Sequence, residues 1–134
     1  MTDLHVYYVH AIKYNEKEAK IHRDIFIEAV KAELMPIELR ETEGVKIGCG
    51  YVKPLYLQPL YQQKIGYGAD GCPWICDKYN LKVSYNKGIC PIVENMYENI
   101  LITHELMGPG MKQDDLDDVV RSFNKIWNNI EELK

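Results

Sequence analysis

Four cysteines, four histidines, two serines and a run of aspartates are the side chains here with obvious chemical capacity. Cys72 and Cys76 stand in C-x3-C spacing, with Cys49 and Cys90 distant in the chain. Four thiolates can hold zinc tetrahedrally, but the two-residue gap of a zinc knuckle is absent. Ordinary buried or loop thiols are therefore expected, and no metal. The DDLDD run at residues 114 to 118 lacks the glycine and glutamate spacing of an EF-hand loop. It reads instead as a solvated helix start, where the dipole favours anions. Ser84 and Ser122 sit in no G-x-S-x-G elbow, and His5, His10, His22 and His104 have no patterned nucleophile. GCG and GYGADG match neither a P-loop nor G-x-G-x-x-G, so they read as turns. No catalytic residue is assigned.

The tyrosines point to recognition. Ten tyrosines against two phenylalanines is an unusual balance. Tyrosine brings apolar area together with a hydroxyl that needs a partner, which suits interfaces and half-buried surfaces. His5, Tyr7 and Tyr8 open the first apolar segment, and Tyr56, Gln58 and Tyr61 follow Pro54. Aromatic faces beside amides and hydroxyls suit a polyhydroxylated ligand; the plainer reading is an interface or a half-buried core.

The totals narrow the class. At 134 residues the chain is long enough for one domain with its own core. Its 46% hydrophobic and 27% charged residues fit a globular protein, and a net charge of −4 argues against nucleic acid or an anionic membrane as partner. No apolar run reaches the roughly 20 residues of a membrane helix. MTDLHVYYVHAIKY carries no signal-peptide pattern, so cytoplasmic location and reduced cysteines are expected.

The elements that must position these residues follow from periodicity. Residues 5 to 13 alternate as a strand, with Val6, Tyr8, His10 and Ile12 on one face. Tyr7, Val9 and Ala11 on the other predict a strand covered on both sides. Tyr14 to Lys20 reads as a polar turn. Ile21, Ile25, Phe26, Val30 and Leu34 predict a helix over 21 to 34 that Pro36 prevents from continuing. GVKIGCGYVKP is a short strand or an irregular loop, and residues 62 to 90 form a long loop or insertion. Pro91 opens a helix with Ile92, Val93, Met96 and Tyr97 at helical spacing. ILIT at 100 to 103 is a short buried strand. Leu116, Val119, Val120, Phe123, Trp127, Ile130 and Leu133 make the last helix the clearest element. Strands alternating with helices over a small sheet predict an α/β or α+β sandwich, as a single domain over 1–134.

Several segments in order resemble the C-terminal part of the DegT/StrS-type aminotransferases, pyridoxal-phosphate (PLP) enzymes that aminate keto-sugars and cyclitols. HVYYVHAIKY resembles the first strand of that family's small domain. HRDIFIEAVKAE resembles the following helix, with Arg23 and Asp24 as its Arg-Asp pair. PLYLQPLY resembles the P-x-H-x-Q-P-x-Y segment: Pro54, Gln58, Pro59 and Tyr61 match, and Tyr56 stands where the family often has His. CPIVENMYENILITHEL resembles the C-P-V-A-E helix and the strand after it, with Pro91 and Glu94 matching, and MKQDDLDDVVRSFNKI resembles the terminal helix. GCPWICDKYNLKVSYNKG is longer than in the commonest members, and HELMGPG replaces a leucine-proline segment.

The resemblance implies an α/β (α+β) sandwich, a small, mostly antiparallel sheet with helices packed on it, that sits on a PLP-binding large domain in a homodimer. The Schiff-base lysine and phosphate-binding residues of such enzymes lie upstream of this part, and none maps onto this chain. The chain is thus expected to bind no PLP alone and to be inactive alone, while facing a sugar-type substrate or the large domain through His5, Tyr8, Tyr56, Gln58 and Tyr61. The alternative is a stand-alone module of the same fold that binds a sugar nucleotide or a protein.

Overall fold

The computed structural model describes residues 7–36, 44–68, 71–74, 83–108 and 110–134. The chain divides into two compact units: Met1–Tyr51 with Glu98–Lys134, and Val52–Tyr97.

The first unit is α+β. Its strands are β1 (His10–Lys13), β2 (Ile47–Cys49) and β3 (Leu101–His104), in sheet order β1-β3-β2 and antiparallel throughout. His10 lies opposite His104 and Ile12 opposite Ile102; on the other side Ile47 lies opposite His104 and Cys49 opposite Ile102. The two-residue alternation of a strand then sends Ile12, Ile47, Ile102 and His104 to one face. That face carries the core, in which Ile102, Ile27 and Val30 are fully buried. Each such side chain contributes about 1.5–3 kcal/mol of burial. Ala11 and Lys13 are exposed, which corrects the expectation of a first strand covered on both sides.

Helix α1 (Glu16–Ala19) forms within the segment read as a polar turn, and Lys20 ends it in the left-handed region. Helix α2 (Arg23–Ala32) starts where His22 Nδ1 accepts the Asp24 N–H at 3.3 Å. It buries Phe26, Ile27 and Val30. Gly50, at φ +75°, turns the chain out of β2 while its N–H still reaches the Leu101 carbonyl at 2.7 Å. Helix α5 (Gln113–Asn128) begins with the Asp115 carboxylate accepting the Lys112 N–H at 2.7 Å. Phe123, Val119, Ile126, Ile130 and Leu133 pack against the core, and the Phe26 ring lies 6.1 Å from Phe123 and 6.2 Å from Trp127. Val120 and Trp127 stay 58% and 41% exposed, so the packed stripe is narrower than its periodicity predicts.

The second unit lies between β2 and β3 in the chain. It holds a 3-10 turn (Leu55–Leu57), helix α3 (Pro59–Gln62) and helix α4 (Pro91–Asn95). Pro59 and Pro91 sit in the first turns, where the missing N–H costs nothing. Within the loop expected over 62 to 90, the described residues contain one isolated bridge, Tyr67 with Cys72. Gly66 faces it, and a Cβ there would collide with the Gly71 and Cys72 carbonyls. Among the described residues of this unit only Pro54 and Glu94 are buried. Ile92 is 80% exposed, so α4 does not bury the apolar face its spacing predicts. A five-residue π-helix (Met96–Ile100) follows α4 and leads into β3. Among the described residues no helix is long and apolar enough to cross a membrane.

Candidate ligand-facing site

Glu94 organises the second unit. Its side chain is only 7% exposed, although it sits on a helix whose neighbours Ile92 and Val93 are exposed. One carboxylate oxygen, Oε1, accepts the Tyr56 hydroxyl, the Gly88 N–H at 2.7 Å and the Cys90 N–H at 3.3 Å. The Tyr56 hydroxyl, these two backbone N–H groups and the nearby Lys87 hold the Glu94 carboxyl below the usual carboxylate range, against the opposing effect of burial. Cys90 precedes α4, so this bond also satisfies a backbone donor at the start of that helix. The PLYLQPLY and CPIVEN segments are thereby joined by Tyr56 and Glu94, 38 residues apart in the chain.

Around this bond the polar side chains tie backbone to backbone. Gln58 donates to the Lys53 carbonyl at 2.9 Å. Gln62 donates to the Tyr56 and Tyr85 carbonyls at 2.7 and 2.6 Å. Tyr61 lies 5.9 Å from Trp74, edge to face, and 5.4 Å from Tyr85, and the Trp74 indole N–H donates to the Tyr85 hydroxyl at 3.2 Å. The three rings are half-buried. Partly exposed rings beside amides and hydroxyls offer stacking faces and hydrogen-bond partners to a ligand rich in hydroxyls.

The predicted residues therefore separate. Tyr56, Gln58 and Tyr61 belong to the second unit, the first two committed to Glu94 and to Lys53. Tyr8 belongs to the first unit, where its 83% exposed side chain meets the Tyr51 hydroxyl at 3.5 Å. That contact raises the Tyr51 phenol above its ordinary range. His5 lies outside the described residues.

The sequence patterns give no functional role to Glu94, Trp74 or Tyr85 and do not pair His10 with His104. Glu94 is signalled by its match to the C-P-V-A-E helix and by its place four residues after Cys90, near the capping position at a helix start. His104 is signalled by alternation with the buried Ile102 and Leu106. Trp74 and Tyr85 follow no periodic pattern, because they lie in irregular chain.

Elsewhere the chemistry is quiet. The Cys49 thiol is pushed up to about 11, by burial and by its hydrogen bond to Asp24. Cys90 is also free, whereas Cys72 is disulfide-bonded, which corrects the expectation of four reduced thiols. Among the described residues no three His, Cys, Asp or Glu side chains stand together as metal ligands. Every lysine among them is at least partly exposed. Comparison of the chain with protein-family models, curated proteins and solved structures found no match.

Proposed function

We propose that this chain serves as the small domain of a DegT/StrS-type sugar or cyclitol aminotransferase. It supplies no catalytic group, and its tyrosine-rich unit faces a polyhydroxylated substrate. In this reading PLP belongs to a separate large domain. When bound there, PLP supplies the electron sink for amino transfer; the residues of this chain bind and orient. The observation that carries the reading is the Tyr56–Glu94 bond, because it ties together the two segments with the closest likeness to the family. The α+β sheet with α2 and α5 packed on it is consistent with such a domain.

The test uses Trp74 as reporter in a W127F background, the chain having two tryptophans. Titration with a nucleoside-diphosphate hexose is expected to quench Trp74 fluorescence, and Tyr61→Ala to abolish the change. Titration with PLP is expected to yield no internal-aldimine band. A stoichiometric aldimine on one lysine would overturn the non-catalytic assignment; an unresponsive Trp74 would overturn the substrate-facing one.

A further inference from the structure

His10 and His104 lie directly opposite each other on β1 and β3, and His10 Nδ1 stands 2.8 Å from His104 Nε2. His104 is buried and faces the Phe123 ring of α5 at 6.5 Å. Its other nitrogen, Nδ1, accepts the Leu106 N–H at 3.3 Å. A backbone N–H only donates, so this contact fixes the tautomer of a neutral His104. The proton sits on Nε2 and is donated to His10 Nδ1, and His10 carries its own proton on Nε2. Each of the three nitrogens in the chain of bonds is then already used once. A further proton on His104 must go to Nδ1, where it faces the Leu106 N–H and breaks that bond. A further proton on His10 must go to Nδ1, which forces the same change of tautomer on His104.

We propose that the His10–His104 pair is a pH-sensitive latch on the connection from β3 to α5. With two protons the pair holds Leu106; with a third it releases it. Leu106 is buried in the core and also lines an open groove of about 950 Å³ with Leu34, Met35, Met111, Val119 and Ser122. Release therefore alters the wall of that groove and the seat of α5.

The surroundings make the latch responsive to protons. His10 of β1 faces it, with Tyr7 from the segment before β1, whose ring lies 4.9 Å from His10. From β2 the cross-strand neighbour is Ile47, and the charged residues next to that pair in the chain are Lys46 and Glu105, joined by the Glu105 N–H to the Lys46 carbonyl at 2.9 Å. From α5 comes Phe123. Of the charged groups lining the groove beyond Leu106, Asp118 pairs with Arg121 and Glu33 with Lys125, Asp115 caps α5, and Lys112 stands at the start of that helix. Burial, and then the charge of His10, lower His104 below its ordinary 6.5. The unfolded chain thus binds more protons here than the folded one. The stabilisation is complete above about pH 6.5 and is lost as pH falls below it.

The test is nuclear magnetic resonance on the intact chain. At pH 8, long-range proton–nitrogen correlation is expected to show His104 as the Nε2–H tautomer. On acidification the protection of the Leu106 amide against exchange is expected to fall by about tenfold, the factor expected for one lost hydrogen bond. In His104→Gln, which keeps a donor towards His10 but cannot titrate, that acid-linked loss is expected to vanish. An Nδ1–H tautomer of His104 in the wild-type chain would overturn the latch without any variant. So would Leu106 protection that is independent of pH, or equally pH-dependent in His104→Gln.

Discussion

Arg23 offers the sharpest test of how the first unit is held together. Its side chain is only 4% exposed. Nη1 donates to the Leu101 carbonyl and Nη2 to the Glu98 carbonyl, both at 2.9 Å. Nε donates to Asp24 at 3.0 Å. The two carbonyls lie where the π-helix gives way to β3, and the Leu101 carbonyl also accepts the Gly50 N–H at 2.7 Å. Arg23→Met keeps the apolar stem and removes the donors. Hydrogen bonds from a charged donor contribute about 1.5–3 kcal/mol each, so the two carbonyls together represent about 3–6 kcal/mol. The ion pair adds little, because the Asp24 side chain is 56% exposed and solvent screens it. Glu98 and Leu101 are themselves partly exposed, and partial rehydration of their carbonyls places the expected loss near the lower end, about 3 kcal/mol. For a chain of this size that corresponds to a fall in Tm of roughly 10 °C. Urea unfolding followed by far-ultraviolet circular dichroism measures it directly, with Arg23→Lys expected to recover only part of the loss. A cost below about 1 kcal/mol for Arg23→Met would refute the assignment of Arg23 as the support of this junction.

Three further outcomes follow from the same structure. Glu94 has a depressed carboxyl, so its stabilising effect is present above its ordinary 4.5 and is lost as pH falls through its folded value. Glu94→Gln should flatten the acid limb of a near-ultraviolet melting profile, and an unchanged limb would contradict the account. Cys49, raised from 9.0 to about 11 by burial and by its bond to Asp24, should alkylate near pH 8 about a hundredfold more slowly than an unshifted thiol, read by peptide mass spectrometry; alkylation at the ordinary rate would contradict that environment. Lys20 ends α1 at φ +58°, which costs a residue bearing a Cβ about 1 kcal/mol; Lys20→Gly should raise stability by about 0.5–1 kcal/mol, and a decrease would count against that backbone.

Much of the first unit was legible in the sequence, because its elements carry strong periods. The steps of three and four in α5 and α2 specified helices, and Ile102 stands in a short apolar run that reads as a buried strand, although Ile100 of that run lies in the π-helix. Pro59 and Pro91 both mark helix starts, although only the second was read as one. The candidate site was legible in part. Tyr56, Gln58 and Tyr61 were identified by type, and the structure places all three in one unit. What they bond to was not legible. Gln58 and Tyr56 make contacts set by turns that have no period, and Trp74 and Tyr85 lie in irregular chain.

Local order along the chain therefore determined which segments become helix or strand, since a period of two or 3.6 residues separates an apolar face from a polar one without reference to the rest of the molecule. Only the tertiary structure decided which polar groups meet. The bonds of His10 to His104, of Arg23 to Glu98 and Leu101, and of Tyr56 to Glu94 span 94, 75 and 78, and 38 residues respectively. At those separations the spacing of residues carries no geometric information. The partners are set by sheet register and by the need of buried polar groups for hydrogen bonds.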